Sequence, residues 1–238
     1  LLGANSKSMR QHLHNAFVGE DVETSINVFL LEMDGRRILV DTGAGELFSA
    51  FNIGGKLFQN LKALGIEPGD ITDILITHVH VDHSGGLTIA KNRMFPKAVV
   101  HVGKPDVDFF LDPAQAKTSK YRPEALPQAF EQAVQTLGPY VSSGQVQAFE
   151  GTKEIMPGLT GTVHPGHTPG SAFYTLTRKG QKMVFIGDTI HVAAVQLPEP
   201  QVATVFDVDP KGAGANRRKA FSEFSRTGGL VAPPHLQY

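Results

Sequence analysis

Cysteine is missing from all 238 residues, which excludes disulfides, thiolate metal ligands and a cysteine nucleophile. A metal bound here must be held by imidazole and carboxylate. Net charge of one sign is missing too: the formal charge is -1, with Lys and Arg spread along the chain. That leaves no basic footprint for a nucleic-acid backbone, so nucleic acid is not an expected partner. No apolar run approaches the ~20 residues that span a bilayer, so no membrane partner is expected. The chain starts Leu1-Leu2-Gly3, without methionine or a charged-then-apolar leader, and no signal peptide is legible in it.

What is present is ordinary for a globular protein, with 41% hydrophobic and 19% charged residues. The length suits one domain over residues 1–238. Segments 25–31 (SINVFLL) and 37–41 (RILVD) are rich in branched apolar side chains and flank Asp34-Gly35, a hairpin signal. Leu57, Phe58, Leu61 and Leu64 recur at helical spacing before Gly65, predicting a surface helix over 55–64. Residues 71–77 (ITDILIT) read as a buried strand, and a short helix is expected around 87–91. Further strands are expected at 98–102, 146–149, 159–164, 172–177, 183–187, 202–206 and 230–232. Helices are expected near 124–137 and 211–225, the second with Asp209 as N-cap and Pro210 in its first turn. Interleaved strands and helices give an α/β or α+β class in which two sheet layers are possible.

The chemistry concentrates where the strand 71–77 ends. His78-x-His80-x-Asp82-His83 puts four metal-ligand side chains within six residues. Imidazoles at alternate positions of an extended strand end converge on one ion, and the Asp82-His83 turn can face a second. A two-metal site needs more ligands from distant segments, and three candidates sit at apparent strand ends: His167, Asp188 and His235. His167 lies in a loop shaped by Gly and Pro (HPGHTPGS, 164–171), and Asp188 follows the strand MVFIG. Asp41, in VDTG, is placed either to support a ligand loop or to cap its own turn. His164 and His191 flank the candidate ligands, and His191 is suited to a pocket rim. His12, His14 and His101 read as structural or exposed.

The motifs THVHVDHSGG (77–86), HPGHTPGS (164–171), GDT (187–189) and the late His235, in this order, resemble the metallo-β-lactamase superfamily over about residues 24–236. The resemblance implies an αββα sandwich, two mixed sheets flanked by helices, with two metals at one edge. Within the superfamily, VETS (22–25), VDTGAGELF (40–48), HVAAVQ (191–196), RRKAF (217–221) and LVAPPHL (230–236) resemble the methyl parathion hydrolase-like organophosphate hydrolases. That likeness implies His78, His80 and His167 on one ion, Asp82, His83 and His235 on the other, and Asp188 bridging them. It further implies Phe48, Phe110 and Phe130 around an apolar substrate pocket.

The expected function is therefore hydrolysis by a hydroxide shared between two divalent ions, zinc first, with manganese, cobalt or iron compatible with the same ligands. Asp188 and Asp82 are the candidate catalytic carboxylates. Expected substrates are small neutral esters, with phosphotriesters ahead of lactones and β-lactams. An iron-dependent dioxygenase on the same fold is the alternative of a different class. The resemblance allows a homodimer and a periplasmic or secreted location. It also suggests a longer protein, continuing at both ends of the sequence read here.

Overall fold

The computed structural model of the protein describes residues 1–3, 5–48, 54–121 and 126–237. A helix unanticipated from the sequence, α1 (Ser6–Asn15), opens the chain, with Asn5 accepting the Lys7 N–H as its cap. The Asp34-Gly35 hairpin follows, joining β1 (Phe29–Met33) to β2 (Arg36–Val40). Both turn residues have positive φ, 51° and 73°, as a two-residue hairpin turn requires. Then come α2 (Leu57–Ala63), β3 (Asp73–Ile76), the one-turn α3 (Val81–Ser84) that carries Asp82 and His83, and a small hairpin of β4 (Thr88–Ile89) and β5 (Asn92–Arg93).

That hairpin replaces the helix expected around 87–91. Ala90 and Lys91 take φ of 47° and 65°, turning the chain back so that Thr88 faces Arg93. The apolar stretch was too short to sustain a helix. Next are β6 (Val99–Gly103), α4 (Lys104–Phe110), α5 (Pro113–Thr118), α6 (Ala129–Ser142) and β7 (Val146–Phe149). The helix α6 begins later than the expected 124–137 and runs further, beyond Pro139. Strands β8 (Thr152–Met156), β9 (Leu159–Val163), β10 (Ala172–Arg178) and β11 (Gln181–Phe185), the one-turn α7 (Ala193–Gln196), α8 (Pro210–Thr227) and β12 (Leu230–Ala232) complete the chain.

The strand expected at 202–206 does not form. Among the described residues only Ala203 makes a bridge, to Leu2, while the Thr204 N–H is taken by the Asp207 carboxylate. The edge strand β8 was missed because TKEIM is mostly polar and exposed, with no apolar alternation to read.

One sheet has the order β1-β2-β3-β6-β7, with β2, β3, β6 and β7 parallel, and the other has the order β12-β11-β10-β9-β8. Both are mixed, since β1 runs antiparallel to β2 and β12 parallel to β11. Ile38, Val40 and Leu75 pack between the sheets against Leu159, Tyr174 and Phe185. The alternate residues Leu39, Ile74 and Ile76 pack outward against Leu61 of α2, Phe110 of α4 and Leu137 of α6. Burial on both faces explains why these strands read as continuous apolar runs rather than alternating ones. Each fully buried Ile or Leu there stabilises the fold by roughly 1.5–3 kcal/mol. On the far face Phe173, Val184 and Ile186 pack against Ala220, Phe221 and Phe224 of α8. The architecture is the αββα sandwich.

The parallel strands β2 and β3 release Asp41 and His78 at the same edge, and β11 and β12 release Asp188 and His235 from the other sheet. The Ala172 N–H donates to the Thr77 carbonyl at 2.8 Å, tying the two sheets together at that edge.

Candidate metal centre

Asp41 organises the loop after β3. Its carboxylate accepts the Thr77 N–H at 2.8 Å, the Thr77 hydroxyl at 2.9 Å and His83 Nδ1–H at 2.8 Å. It does this from a left-handed backbone position, φ 60°, which Asp tolerates better than most residues. After extended His78–His80, the turn of α3 is closed by the Ser84 hydroxyl on the His80 carbonyl. Gly85 and Gly86 then pass directly against the loop after β2, where a Cβ would overlap the carbonyls of Ala44 and Thr42. Glycine is needed here for close approach, and the approach fixes the two loops to each other.

The structure brings all seven sequence-predicted ligands together in two groups that share Asp188. His78, His80, His167 and Asp188 form the first group, and Asp82, His83, Asp188 and His235 the second; within each, the ligand atoms lie within 4.8 Å of one another. In the first, Nε2 of His78, Nδ1 of His80 and Nε2 of His167 form a triangle with edges of 3.0–3.1 Å. In the second, Nε2 of His83 and Nε2 of His235 each stand 3.0 Å from Asp188 Oδ1, with Asp82 Oδ2 at 3.4 and 3.5 Å from them. All but Asp82 are buried, and its side chain is 17% exposed.

The other nitrogen of every ring has a partner outside the cluster. His78 Nδ1 faces the Thr77 hydroxyl at 3.2 Å, His80 Nε2 the Tyr121 hydroxyl at 2.7 Å and His83 Nδ1 the Asp41 carboxylate. His167 Nδ1 faces Asp207 at 2.7 Å and His235 Nδ1 the Ser25 carbonyl at 2.7 Å. Each partner accepts a ring N–H, which leaves a bare lone pair on each nitrogen aimed into the cluster.

A cation fits this arrangement. Three lone pairs converging at 3.0–3.1 Å repel one another unless a positive charge lies between them. Donor atoms ~2.0–2.1 Å from an ion stand about 2.9–3.4 Å apart, which matches the triangle. In the second group His83 Nε2 and Asp188 Oδ1 are buried and 3.0 Å apart, yet neither makes a hydrogen bond among the described residues. Atoms that are close but misaligned in this way are directed at a shared point rather than at each other. Two divalent ions are compatible with the donor set.

The field inside the cluster is steep. Burial alone would push the Asp188 carboxyl up, but His235, His83, His191 and His78 surround it and hold it well below the usual carboxylate range. Burial drives His78 well below its ordinary value and takes His80 to about 3, with neighbouring imidazoles adding to the effect. Burial also opposes the charge on His167, but Asp188 and Asp207 outweigh it and raise that ring to about 9, so a cation binding there would have to displace the proton on its inward nitrogen.

Three supporting residues escaped the sequence reading. Asp106, fully buried in α4, accepts the Val79 N–H, the Gly170 N–H and the Thr168 hydroxyl, clamping the His78–His80 segment to the His167 loop. Burial, only partly offset by those bonds, raises its carboxyl to about 6. Asp207 and Tyr121 hold His167 and His80, as described above. None of the three lies in a motif, so distance in the chain hid them. Asp41 proves to be both turn residue and ligand support.

Of the candidate pocket aromatics, Phe48 is half-buried in the turn that follows the Asp41 loop. Phe110 and Phe130 lie in the core, 1% and 5% exposed, within an aromatic cluster whose Phe110 ring meets His80 edge-on at 5.7 Å. His191 Nε2 lies 3.0 Å from Asp188 Oδ2, and its ring stacks on His235. His164 stacks on Phe173 instead of joining either group. His101 pairs with buried Asp73, His12 pairs with Glu199, and His14 is exposed.

Comparison with known proteins agrees with this geometry. A solved structure of the hydrolase AbOPH, of the beta lactamase superfamily, is 33% identical and superposes with a TM-score of 0.90, covering 100% of this chain and 81% of that one. The dizinc quorum-quenching lactonase AidC, solved with the product N-hexanoyl-L-homoserine, is 27% identical with a TM-score of 0.88, covering 99% and 81%. An N-acyl homoserine lactonase of Bacillus sp is 27% identical over 169 residues, 64% of this chain; the matched part is 58% of that relative's length. The family model of the metallo-beta-lactamase superfamily matches residues 21–235, and the chain belongs to that superfamily.

Proposed function

We propose that this protein is a dinuclear zinc hydrolase that opens small neutral lactones, with neutral phosphotriesters as a second substrate class. The observation that carries the proposal is the pair of ligand groups sharing Asp188, with every ring pinned in the tautomer that presents a lone pair inward. In this reading His78, His80 and His167 would hold one ion and Asp82, His83 and His235 the other, with Asp188 common to both groups. Two divalent ions bound there supply Lewis acidity for a carbonyl or phosphoryl oxygen and lower the pKa of water toward ~7.

The chain's own residues supply the rest. Asp188 holds the two positions together, and its burial keeps it from exchanging with solvent. Asp82, the most accessible member of the set, is the group suited to take a proton from the attacking water and return it to the leaving oxygen. Water is the nucleophile in this reading, so no covalent intermediate on the protein is needed. Phe48 provides an apolar wall beside the Asp41 loop.

Lactones come first because AidC and the Bacillus relatives are lactonases and because a neutral cyclic ester suits a site rich in imidazole. Phosphotriesters are retained on the motif likeness at 40–48, 191–196 and 230–236. The test is kcat/KM of zinc-loaded protein on N-hexanoyl homoserine lactone, an aryl dimethyl phosphotriester, an aryl butyrate and a cephalosporin. The lactone is expected to rank first and chelation to abolish all turnover. Activity that survives complete metal removal, or a loaded enzyme inert on all four, refutes the proposal.

A further inference from the structure

The two ligand groups rest on different outer frames. His83 and His235, in the second group, lean on Asp41 and on the Ser25 carbonyl. His80 and His167, in the first, both lean on the segment 204–209. Asp207 Oδ1 accepts His167 Nδ1–H, and its Oδ2 accepts the Thr204 N–H at 2.8 Å, which keeps the carboxylate from rotating. The His80 end is less obvious. His80 Nε2–H donates to the Tyr121 hydroxyl at 2.7 Å, and that hydroxyl donates in turn to the Phe206 carbonyl at 2.9 Å. The Tyr121 ring also lies nearly parallel to the imidazole, at an angle of 14°.

The same segment is latched to the His167 loop by its backbone. The Val208 N–H donates to the His167 carbonyl at 2.8 Å and the Asp209 N–H to the Gly166 carbonyl at 2.9 Å. One short stretch thus sets the orientation of two of the three imidazoles of the first group by hydrogen bonds, whereas it reaches the second group only indirectly, through Phe206 stacked on His191, whose ring in turn stacks on His235.

We infer that Tyr121, acting with Asp207 through the segment 204–209, is a positioning residue that sets the metal affinity of the His78/His80/His167 position far more than that of the Asp82/His83/His235 position. The inference rests on the two-metal reading above. The physical reason is tautomer control. Without an acceptor at Nε2, the His80 proton is equally well placed on Nδ1, the atom that faces His78 and His167, and a ring protonated there cannot bind a cation. Removing the Tyr121 hydroxyl also leaves the Phe206 carbonyl without that donor, loosening the segment that holds Asp207.

The test compares zinc binding by the parent, Tyr121→Phe and Asp207→Asn, using chelator competition together with anomalous diffraction at the zinc edge. The parent is expected to bind two ions. Each variant is expected to bind zinc at the first position about 10–100-fold more weakly, and at the second within about threefold of the parent. Because both residues act through one segment, the double variant should lose less than the product of the single losses. Asp207→Asn keeps the test decisive if Tyr121→Phe folds poorly by circular dichroism. A parent with two ions and variants that lose both equally, or neither, overturn the inference and leave the two-metal reading intact. A parent that never holds two ions overturns both.

Discussion

Asp41→Asn isolates the tautomer argument in the second ligand group. The replacement is isosteric, and Asn tolerates the left-handed backbone at φ 60° as well as Asp does, so the loop itself should keep its shape. What changes is the donor pattern. Oδ1 can still accept the Thr77 N–H, but the position now filled by Oδ2, which accepts from both the Thr77 hydroxyl and His83 Nδ1–H, becomes an NH2. The Thr77 hydroxyl can rotate to accept. His83 cannot, unless its proton moves to Nε2, the nitrogen that faces Asp82 and Asp188. Binding a cation then requires undoing that preference, which should weaken the His83 position by about 10–100-fold, or ~1.4–2.8 kcal/mol. Turnover should fall by a similar factor at limiting zinc and recover partly at high zinc. The first position should suffer less, because Thr77 retains a lone pair for His78. The assay is chelator competition with kcat/KM on the preferred ester at two zinc concentrations. Asp41→Ala serves as a comparison, since it adds roughly 1–2 kcal/mol of backbone strain and so lowers Tm as well. If Asp41→Asn keeps zinc affinity within about threefold of the parent, Asp41 only shapes its turn and the tautomer reasoning is wrong.

Asp188→Asn removes the carboxylate common to both groups, so zinc content should fall below two per chain and kcat/KM by at least roughly 10³-fold; near-parental values would reduce Asp188 to a loop residue. Asp73→Asn tests the far end of the same sheet. Burial would raise the Asp73 carboxyl, but His101, Thr72 and Arg36 outweigh it and hold it at about 2, below the ordinary 3.8. Its stabilisation, about 1–2 kcal/mol after allowing for the exposed side of Arg36, should therefore be complete above pH 4 and fade as the pH falls toward 2. Urea midpoints of parent and variant at pH 7 and pH 3 check this, and a gap that widens at low pH contradicts it. Phe48→Ala should raise KM more for an aryl phosphotriester than for a short aliphatic lactone, with zinc content unchanged; equal losses on both would take Phe48 out of the pocket.

The ligands were legible because six residues of one strand end carry four of them, and because Asp188 and His235 follow apolar strands that read clearly. The frame around them was not. Asp106, Tyr121 and Asp207 contact the site from 27, 41 and 40 residues away along the chain and belong to no motif. A single buried carboxylate or hydroxyl looks, in sequence, like any surface one. The same limit explains the secondary structure. The doubly buried β2 and β3 were plain as continuous apolar runs, whereas exposed β8 and the 88–93 hairpin depend on partners and turn geometry that composition does not carry. Residues 202–206 have the branched, apolar composition of a strand but serve as loop, because the Asp207 carboxylate takes the Thr204 N–H that a ladder would have used.

Anomalous diffraction at the zinc edge from crystals of the zinc-loaded protein tests the central claim most directly. The account predicts two peaks, roughly 3.5–4 Å apart, one against His78, His80 and His167 and one against Asp82, His83 and His235, both within coordination distance of Asp188. A single peak, or two that do not share Asp188, from protein active on the ester substrates would contradict it.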